Sequence, residues 1–476
     1  MTKIAVVHYI GATERSRSVV CSLLADLVAE GHEVTLLDIS AFSIINQDLP
    51  SPLVARLLGH RVFTGKFEST LAELGVHHLL LTPGDATRKK IAGDSWGGAE
   101  QAIESELLTY FRQPSLDPAS RAIKTMRQQL TTMALSAFDS LSEVFHNSSP
   151  DLVVIPNGRT SRQKVARIAA EQRGIDVRFY ENARAKRNSY YLGKTQPHDR
   201  LASQEEVKQL VSALPKKEIT QMAQEWLSER MSPSSGTNTF SGLWAPPSDT
   251  KEEEANLAVF FTSSADEYLA FGPMWNIDSW SWQFEAFDCM MTILESRGIG
   301  LRLRIHPNLT RKSRSYFKET LKNIGKLQTR HPRLIVDMPY SSINSYELAQ
   351  QASYIIAERS TIGLEANLMG KSVWINQASQ WDLIADVKQF LTPSDITSEA
   401  LEPWKVNTYG AEKFVAYWML QEKPLRYSWK DWSTWDPDKA PWRMKLALLS
   451  VHNPWNHRIH LLRLEAERWL NSRTKS

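Results

Sequence analysis

Cysteine is nearly missing from this chain: there are two in 476 residues, Cys21 and Cys289. They are too far apart to frame a disulfide scaffold and have no zinc-site spacing, so a reducing compartment suits them. A surplus of one charge is missing too. Lys and Arg number 56 and Asp and Glu 53, a formal net charge of +3. A nucleic-acid binder shows a concentrated basic excess, so that class is set aside. No window approaches 18 uninterrupted apolar residues, so no membrane-spanning helix is expected. The opening MTKIAVVHYI lacks the longer apolar core and small-residue cleavage site of a signal peptide, and it reads as a strand. These absences point to the cytoplasm. There is no internal repeat. No Asp-x-Asp stands at a strand end, so neither a metal-bridged diphosphate nor any cofactor is indicated.

What is present is the composition of a globular protein, 42% hydrophobic and 23% charged. The length suits two domains of about 200 to 250 residues each. In the first half, short apolar runs at 3–9, 33–38, 77–82, 151–156 and 176–180 read as strands. Helical periodicity covers 15–30, 119–146 and 162–173, and Gly31 is a natural stop. Residues 231–254 break this pattern, being rich in Ser, Gly, Pro and charge, and read as a linker. The alternation then restarts. Strands are expected at 257–262, 301–305, 333–337, 354–357 and 372–375, with helices at 282–297, 313–326, 345–351 and 361–369. Strands alternating with helices imply right-handed crossovers and mostly parallel sheets. The expected fold class is therefore α/β, with two Rossmann-like doubly wound domains facing a cleft. The boundaries are 1–230, a linker at 231–254, a second domain at 255–455 and a C-terminal helix at 456–476.

In open parallel sheets, ligands sit beyond the carboxyl ends of the strands. In the second domain three sets of polar residues follow strands. They are Ser263, Ser264, Asp266 and Glu267; then His306, Pro307 and Asn308; then Glu358, Arg359, Ser360 and Thr361. In the third set a strand stops and a helix starts. Free N–H groups, two hydroxyls and the helix dipole make a phosphate site there, and Gly363 permits close approach. Glu365, one turn on, is placed to accept hydrogen bonds from ribose hydroxyls. The plain alternative is an ordinary helix cap. His306 is the histidine of a His-Pro pair that follows a strand, where an imidazole donates to a phosphate oxygen; the plain alternative is a structural histidine. His331-Pro332 precedes a strand and so falls at the wrong edge.

Together these motifs carry a resemblance. R-I-H-P-N at 304–308, followed by E-R-S-T-I-G-L-E-A-x-x-x-G-K-S-V at 358–373, resembles the capsule-polysaccharide glycosyltransferases of bacteria. That group includes Kdo-transferase-like enzymes, and the His-Pro and Ser/Thr motifs are similar to those of bacterial sialyltransferases. F-F-T-S-S-A-D-E-Y at 260–268, with Trp275 and Gln283, looks like the same group, as does N-G-R at 157–159. The resemblance is dense over 257–376 and thin over 151–200. It implies the GT-B arrangement, a nucleotide-sugar donor with a CMP-sugar favoured, and a glycan or glycolipid acceptor. It also implies that His306, Pro307, Ser360 and Thr361 bind the donor phosphate. Many relatives have two serines where this chain has Ser360-Thr361, and the hydroxyl chemistry survives the change.

The first domain should present the acceptor and any general base. Strand-end candidates are Gly11, Thr13, Glu14 and Arg15, then Asn157, Gly158 and Arg159, then Glu181 and Arg184. Glu14, Glu181 and Arg159 are the catalytic candidates, and solvated loop charges are the plain alternative. Half of the 16 tryptophans lie between positions 404 and 469. They fill an irregular core, stack on sugars, or meet a bilayer interface. Residues 456–473 form a basic amphipathic pattern, which packs back on the first domain or docks on the inner face of the membrane. Other readings of the same architecture are a sugar-nucleotide epimerase, a polyol-phosphate transferase, or a non-catalytic nucleotide-sugar-binding scaffold.

Overall fold

A computed structural model describes residues 1–9, 14–42, 60–83, 93–186, 188–232, 256–275 and 279–427. The chain divides into two compact units. Each is the doubly wound α/β module that the alternation implies.

The first unit is built on seven strands. They are β1 (Lys3–His8), β2 (Glu33–Asp38), β3 (His77–Leu80), β4 (Leu152–Pro156), β5 (Asp176–Asn182), β6 (Ser189–Gly193) and β13 (Glu422–Pro424), in the order β13-β6-β5-β4-β1-β2-β3. The five from β3 to β5 run parallel, while β6 and β13 are antiparallel additions at one edge. The period of two along β1 sorts its side chains between two cores. Ile4 and Val6 pack with the Glu14–Ala29 helix and with Phe67 and Leu71. Ala5 and Val7 pack with the Arg121–Ser148 and Ser161–Glu171 helices.

The second unit carries six parallel strands. They are β7 (Leu257–Phe261), β8 (Gly300–Arg304), β9 (Ile335–Asp337), β10 (Tyr354–Ala357), β11 (Val373–Ile375) and β12 (Lys388–Gln389), in the order β12-β11-β10-β7-β8-β9. Strand β7 is buried at all five positions, as a central parallel strand covered on both faces must be. The Glu285–Ser296 and Arg314–Arg330 helices close one face through Phe287, Met290, Met291, Phe317 and Leu327.

The units do not divide where the composition breaks. The second takes in residues from His198 onward, including the Arg200–Val211 and Lys216–Met231 helices. Charged and polar pairs hold these helices there. Arg200 forks onto Asp382 at 2.9 and 2.8 Å, Thr220 donates to Glu412 at 2.7 Å, and Arg230 pairs with Glu365. A sequence boundary at 230 marks the end of a helix, not the end of a packing unit. The expected second domain of 255–455 is also cut short, because residues 421–427 belong to the first unit. There β13 pairs with β6, Glu422 opposite Tyr191. The Glu422 carboxylate also accepts the backbone N–H groups of Arg184, Ala185 and Lys186. Of the expected linker at 231–254 all but Met231 and Ser232 lies outside the described residues, as does the expected tail helix at 456–476. No described helix is long and apolar enough to cross a membrane.

Candidate functional site

The second sheet reverses direction of growth at β7: β8 lies on one side of it and β10 on the other. A doubly wound sheet opens its ligand crevice at such a switch point. The three polar sets come together here. Phe261, the last residue of β7, is in register with Arg304 of β8 and Ala357 of β10, so all three chains leave the sheet side by side.

Hydrogen bonds lock these exits to one another. The His306 N–H donates to Thr262 Oγ1 at 2.8 Å. The Arg359 N–H donates to Ser263 Oγ at 3.1 Å, and the Ser263 N–H donates to the Glu358 carboxylate. Ser264 precedes the Ala265–Leu269 helix, and its Oγ lies 3.5 Å from His306 Nδ1. Pro307 opens a short 3-10 turn, which brings the Asn308 N–H to His306 Nδ1 at 3.1 Å. Because Nδ1 accepts, the neutral ring carries its proton on Nε2, which makes that nitrogen a donor. Burial holds the His306 imidazole down at about 4, and Lys312 and Arg304 add to this against the pull of Glu267. The ring is therefore neutral near pH 7. The half-exposed Glu267 accepts from Asn308 Nδ2 and from Lys312 Nζ.

Ser360 takes the N-cap position of the Thr361–Leu368 helix, with φ −67° and ψ 145°, yet its hydroxyl makes no capping hydrogen bond. Thr361 is exposed. The Gly363 N–H already donates to the Ser360 carbonyl at 3.0 Å, so the Thr361 and Ile362 amides are the first-turn donors left at this end. Strands β8 and β10 flank β7 and lie two strand spacings apart, about 10 Å.

Two sequence assignments change. The space beside Gly363 is filled by protein: a Cβ there would lie 2.7 Å from Trp381 Cη2. The glycine serves packing of a buried tryptophan, not approach of a ligand. Glu365 is 2% exposed, and its Oε1 receives Arg230 Nε at 2.9 Å. It is half of a buried ion pair, not an acceptor held open for a ribose.

Sequence reading singled out Arg359 but passed over the buried Arg304 and Lys312. Arg304 is 2% exposed and donates to the carbonyls of Met338 and Ser341 at 2.8 and 3.2 Å. Lys312 is buried between Asp266 and Glu267 at 2.9 and 2.8 Å. Arg359 donates to the Trp275 carbonyl at 2.9 Å and lies 4.8 Å from the centre of the Tyr268 ring. Carboxylates accompany these cations at the same edge: Asp266 and Glu267 on Lys312, and the buried Glu358 beside Arg359. The available signal was Arg302-x-Arg304, a charged alternation inside a parallel strand. By contrast, His331 is bonded to Asp288 and Glu295 at 3.1 and 2.9 Å, the structural role its position implied.

The first sheet has its own switch point, between β1 and β4. A cavity of about 220 Å³ lies there, with His8, Tyr9, Asn157, Arg159, Tyr180 and Glu181 in its wall. The expected Arg159 and Glu181 thus share one pocket. Glu181 Oε1 accepts from Asn157 Nδ2 at 2.8 Å, and Arg184 is 3.7 Å from its other oxygen. The Arg159 guanidinium donates to Thr109 at 3.1 Å. Glu14 is the first residue of its helix, and its side chain lies outside the description. Gly11 and Thr13 are outside the described residues.

No family model matches the chain, and no curated protein matches it. Solved structures similar to it include the beta Kdo 2,4 transferase KpsC of Thermosulfurimonas dismutans. It is 12% identical, with a TM-score of 0.36 over 56% of this chain and 79% of that one. The UDP-GlcNAc 2-epimerase of Methanocaldococcus jannaschii, in complex with UDP-GlcNAc and UDP, is 11% identical. Its TM-score is 0.33 over 88% of this chain and 99% of that one. The UDP-GlcNAc 2-epimerase of Neisseria meningitidis, bound to UDP-GlcNAc, is 12% identical, with a TM-score of 0.32 and the same two coverages. At these values the likeness is one of α/β architecture, and no residue role is carried over from it.

Proposed function

We propose that the chain is a metal-independent glycosyltransferase of GT-B type. It moves a sugar from a nucleotide-activated donor, a CMP-sugar first among the candidates, to a surface or capsular polysaccharide. The observation that carries this reading is the meeting of Ser263-Ser264, His306 and Ser360-Thr361 at the switch point of the second sheet. Hydroxyls, a neutral imidazole donor and helix-end amides are what a phosphate leaving group needs as its charge develops. CMP leads because the His-Pro and Ser/Thr motifs resemble those of sialyltransferases and Kdo transferases.

In the same reading, the cavity of the first unit takes the acceptor, with Arg159 and Glu181 orienting its hydroxyls. The acceptor is a glycan or glycolipid, met on the cytoplasmic side of the membrane. A thermal-shift panel of CMP-, UDP-, GDP- and ADP-sugars tests the proposal. A donor at a hundred times its Kd stabilises by about 2.7 kcal/mol, readily seen as a higher Tm. Stabilisation by none of the four classes overturns the reading. A bound donor converted to its epimer with no acceptor present replaces it with the epimerase.

A further inference from the structure

The loop after β4 lies at the switch point of the first sheet and leads into the N-terminus of the Ser161–Glu171 helix. Free amides at such a place hold anions. Here the protein has used them. The Asn157 N–H donates to the Tyr180 carbonyl at 2.9 Å, and the Gly158 N–H to the Pro156 carbonyl. Gln163 Oε1 accepts the N–H groups of Arg159 and Thr160 at 3.2 and 3.1 Å. The Ser161 N–H donates to Glu106 Oε2 at 3.0 Å, and Arg162 lies 3.6 Å from the other oxygen of that carboxylate. Gln163 and Glu106 are 3% and 6% exposed, so an incoming ligand would have to displace buried side chains to reach these donors. Each amide from 157 to 161 therefore has its acceptor inside the first unit, and at Ser161 that acceptor is already an anion. At the Thr361–Leu368 helix of the second unit, by contrast, the Thr361 and Ile362 amides are left over.

The cavity beside this loop has the walls of a hydroxyl-binding site. At about 220 Å³ it is smaller than the pockets of about 300 Å³ and upward that hold drug-sized ligands, and it suits a single sugar ring. Tyr9 and Tyr180 give it aromatic surface, and Asn157, Gln163 and Asn182 give it carboxamides, each of which both donates and accepts. Its charges cancel. Arg159 and Glu181 bring one of each sign, and burial keeps His8 neutral at pH 7, at about 4. A carboxylate or phosphate entering here would leave water, face Glu181, and find the loop amides taken. A hydroxyl meets none of these costs.

We infer that the cavity of the first unit takes one uncharged sugar ring, the terminal residue of the acceptor, and turns away rings that carry a carboxylate or a phosphate. The word acceptor rests on the transferase reading above; the preference for an uncharged ring rests on the cavity alone. Glu181 is the residue that sets the preference. It accepts hydrogen bonds from sugar hydroxyls and repels an anion, and without it Arg159 would be the remaining charge in the wall.

The test titrates the full chain with matched pairs of methyl glycosides, glucoside against glucuronoside and galactoside against galacturonoside, by saturation-transfer NMR. The members of a pair differ in the carboxylate, so the comparison does not need the natural sugar to be known. In at least one pair the neutral member should bind at least about tenfold more tightly, and saturating inorganic phosphate should not displace it. Glu181→Gln should narrow that ratio by raising affinity for the uronide, an effect that a loss of packing would not produce. Asn182→Leu should weaken the neutral ligand, which places binding in this cavity. Equal affinity within every pair, a tighter uronide, or displacement by phosphate overturns the inference. So does a wild type that binds no glycoside, or unchanged binding in Asn182→Leu. Should neither variant fold, the wild-type constants and the phosphate competition decide. The nucleotide-sugar panel is read separately. A chain that no nucleotide sugar stabilises loses the transferase reading, while the paired constants still show whether the cavity prefers an uncharged ring.

Discussion

Arg230 Nε meets Glu365 Oε1 at 2.9 Å, joining positions 135 residues apart inside the second unit. Glu365 is 2% exposed, and burial, which works against the Arg230 charge, is outweighed by Glu365 and Tyr346. Removing one partner leaves the other buried and uncompensated. Arg230→Ala should therefore destabilise the protein by about 3 to 5 kcal/mol, whereas Arg230→Met combined with Glu365→Leu should cost far less. Denaturant unfolding of the three proteins checks this, and equal losses in the single and double variants would refute it.

Gly363→Ala should lower stability by about 1 to 3 kcal/mol, the usual cost of overpacking a core. The added methyl would meet Trp381 at 2.7 and 3.0 Å and Ala357 Cβ at 3.3 Å, and Trp381 is too buried to yield. A Tm unchanged from wild type would show that Trp381 repacks.

His306→Ala and Ser360→Ala should each weaken nucleotide-sugar binding by about 1 to 3 kcal/mol, the worth of a hydrogen bond to a charged group. Calorimetry reads the change, and unchanged affinity in both removes the phosphate site. His331→Ala is the matched control. It breaks the bonds to Asp288 and Glu295, so it should lower Tm and leave donor affinity alone.

Turnover should survive chelation. The donor edge offers an imidazole, hydroxyls and helix-end amides for the leaving charge, with no group of three His, Cys, Asp or Glu among the described residues arranged for a metal ion. Loss of activity in excess EDTA, restored by magnesium or manganese, would contradict this.

Stability should fall with acid in a way that His8 explains. Its folded value is about 4 against 6.5 for a free histidine, with burial the main cause. The unfolded chain therefore takes up its proton first. Stability is lost as pH falls from about 6.5 toward 4 and then levels off. Between pH 7 and 5 this group should account for on the order of 2 kcal/mol. His8→Gln should lose that much less over the same interval in denaturant melts. Identical losses would show that His8 is not buried neutral.

Much of the architecture was legible because it follows from local periodicity. The runs that became β1, β4, β7 and β10 are largely apolar stretches bounded by turns, and their ends place polar residues whatever surrounds them. The rule that ligands lie beyond strand carboxyl ends then selected Ser264, His306, Ser360, Arg159 and Glu181 without any contact being known. The helices at His60–Glu73, Gly93–Phe111 and Arg200–Val211 were not read, and neither were β6 and β13. Three-residue β13 has no period of its own; it is a strand because β6 offers it an edge.

The sequence by itself determined the alternation, the parallel sheets and the identity of the polar residues at their ends, since each depends on neighbours within a few positions. Only the tertiary structure decided how those residues are used. Whether Gly363 faces a ligand or Trp381, whether Glu365 is open or bound to Arg230, and whether residues 198–231 pack with the first unit or the second all turn on distant partners. The same is true of His8. In sequence it is the last letter of a hydrophobic strand, and its ring is hydrogen-bonded to the Tyr180 hydroxyl, 172 positions away. A hydrogen bond between distant residues leaves no trace in local periodicity, because the geometry that aligns donor and acceptor exists only once the sheet has formed.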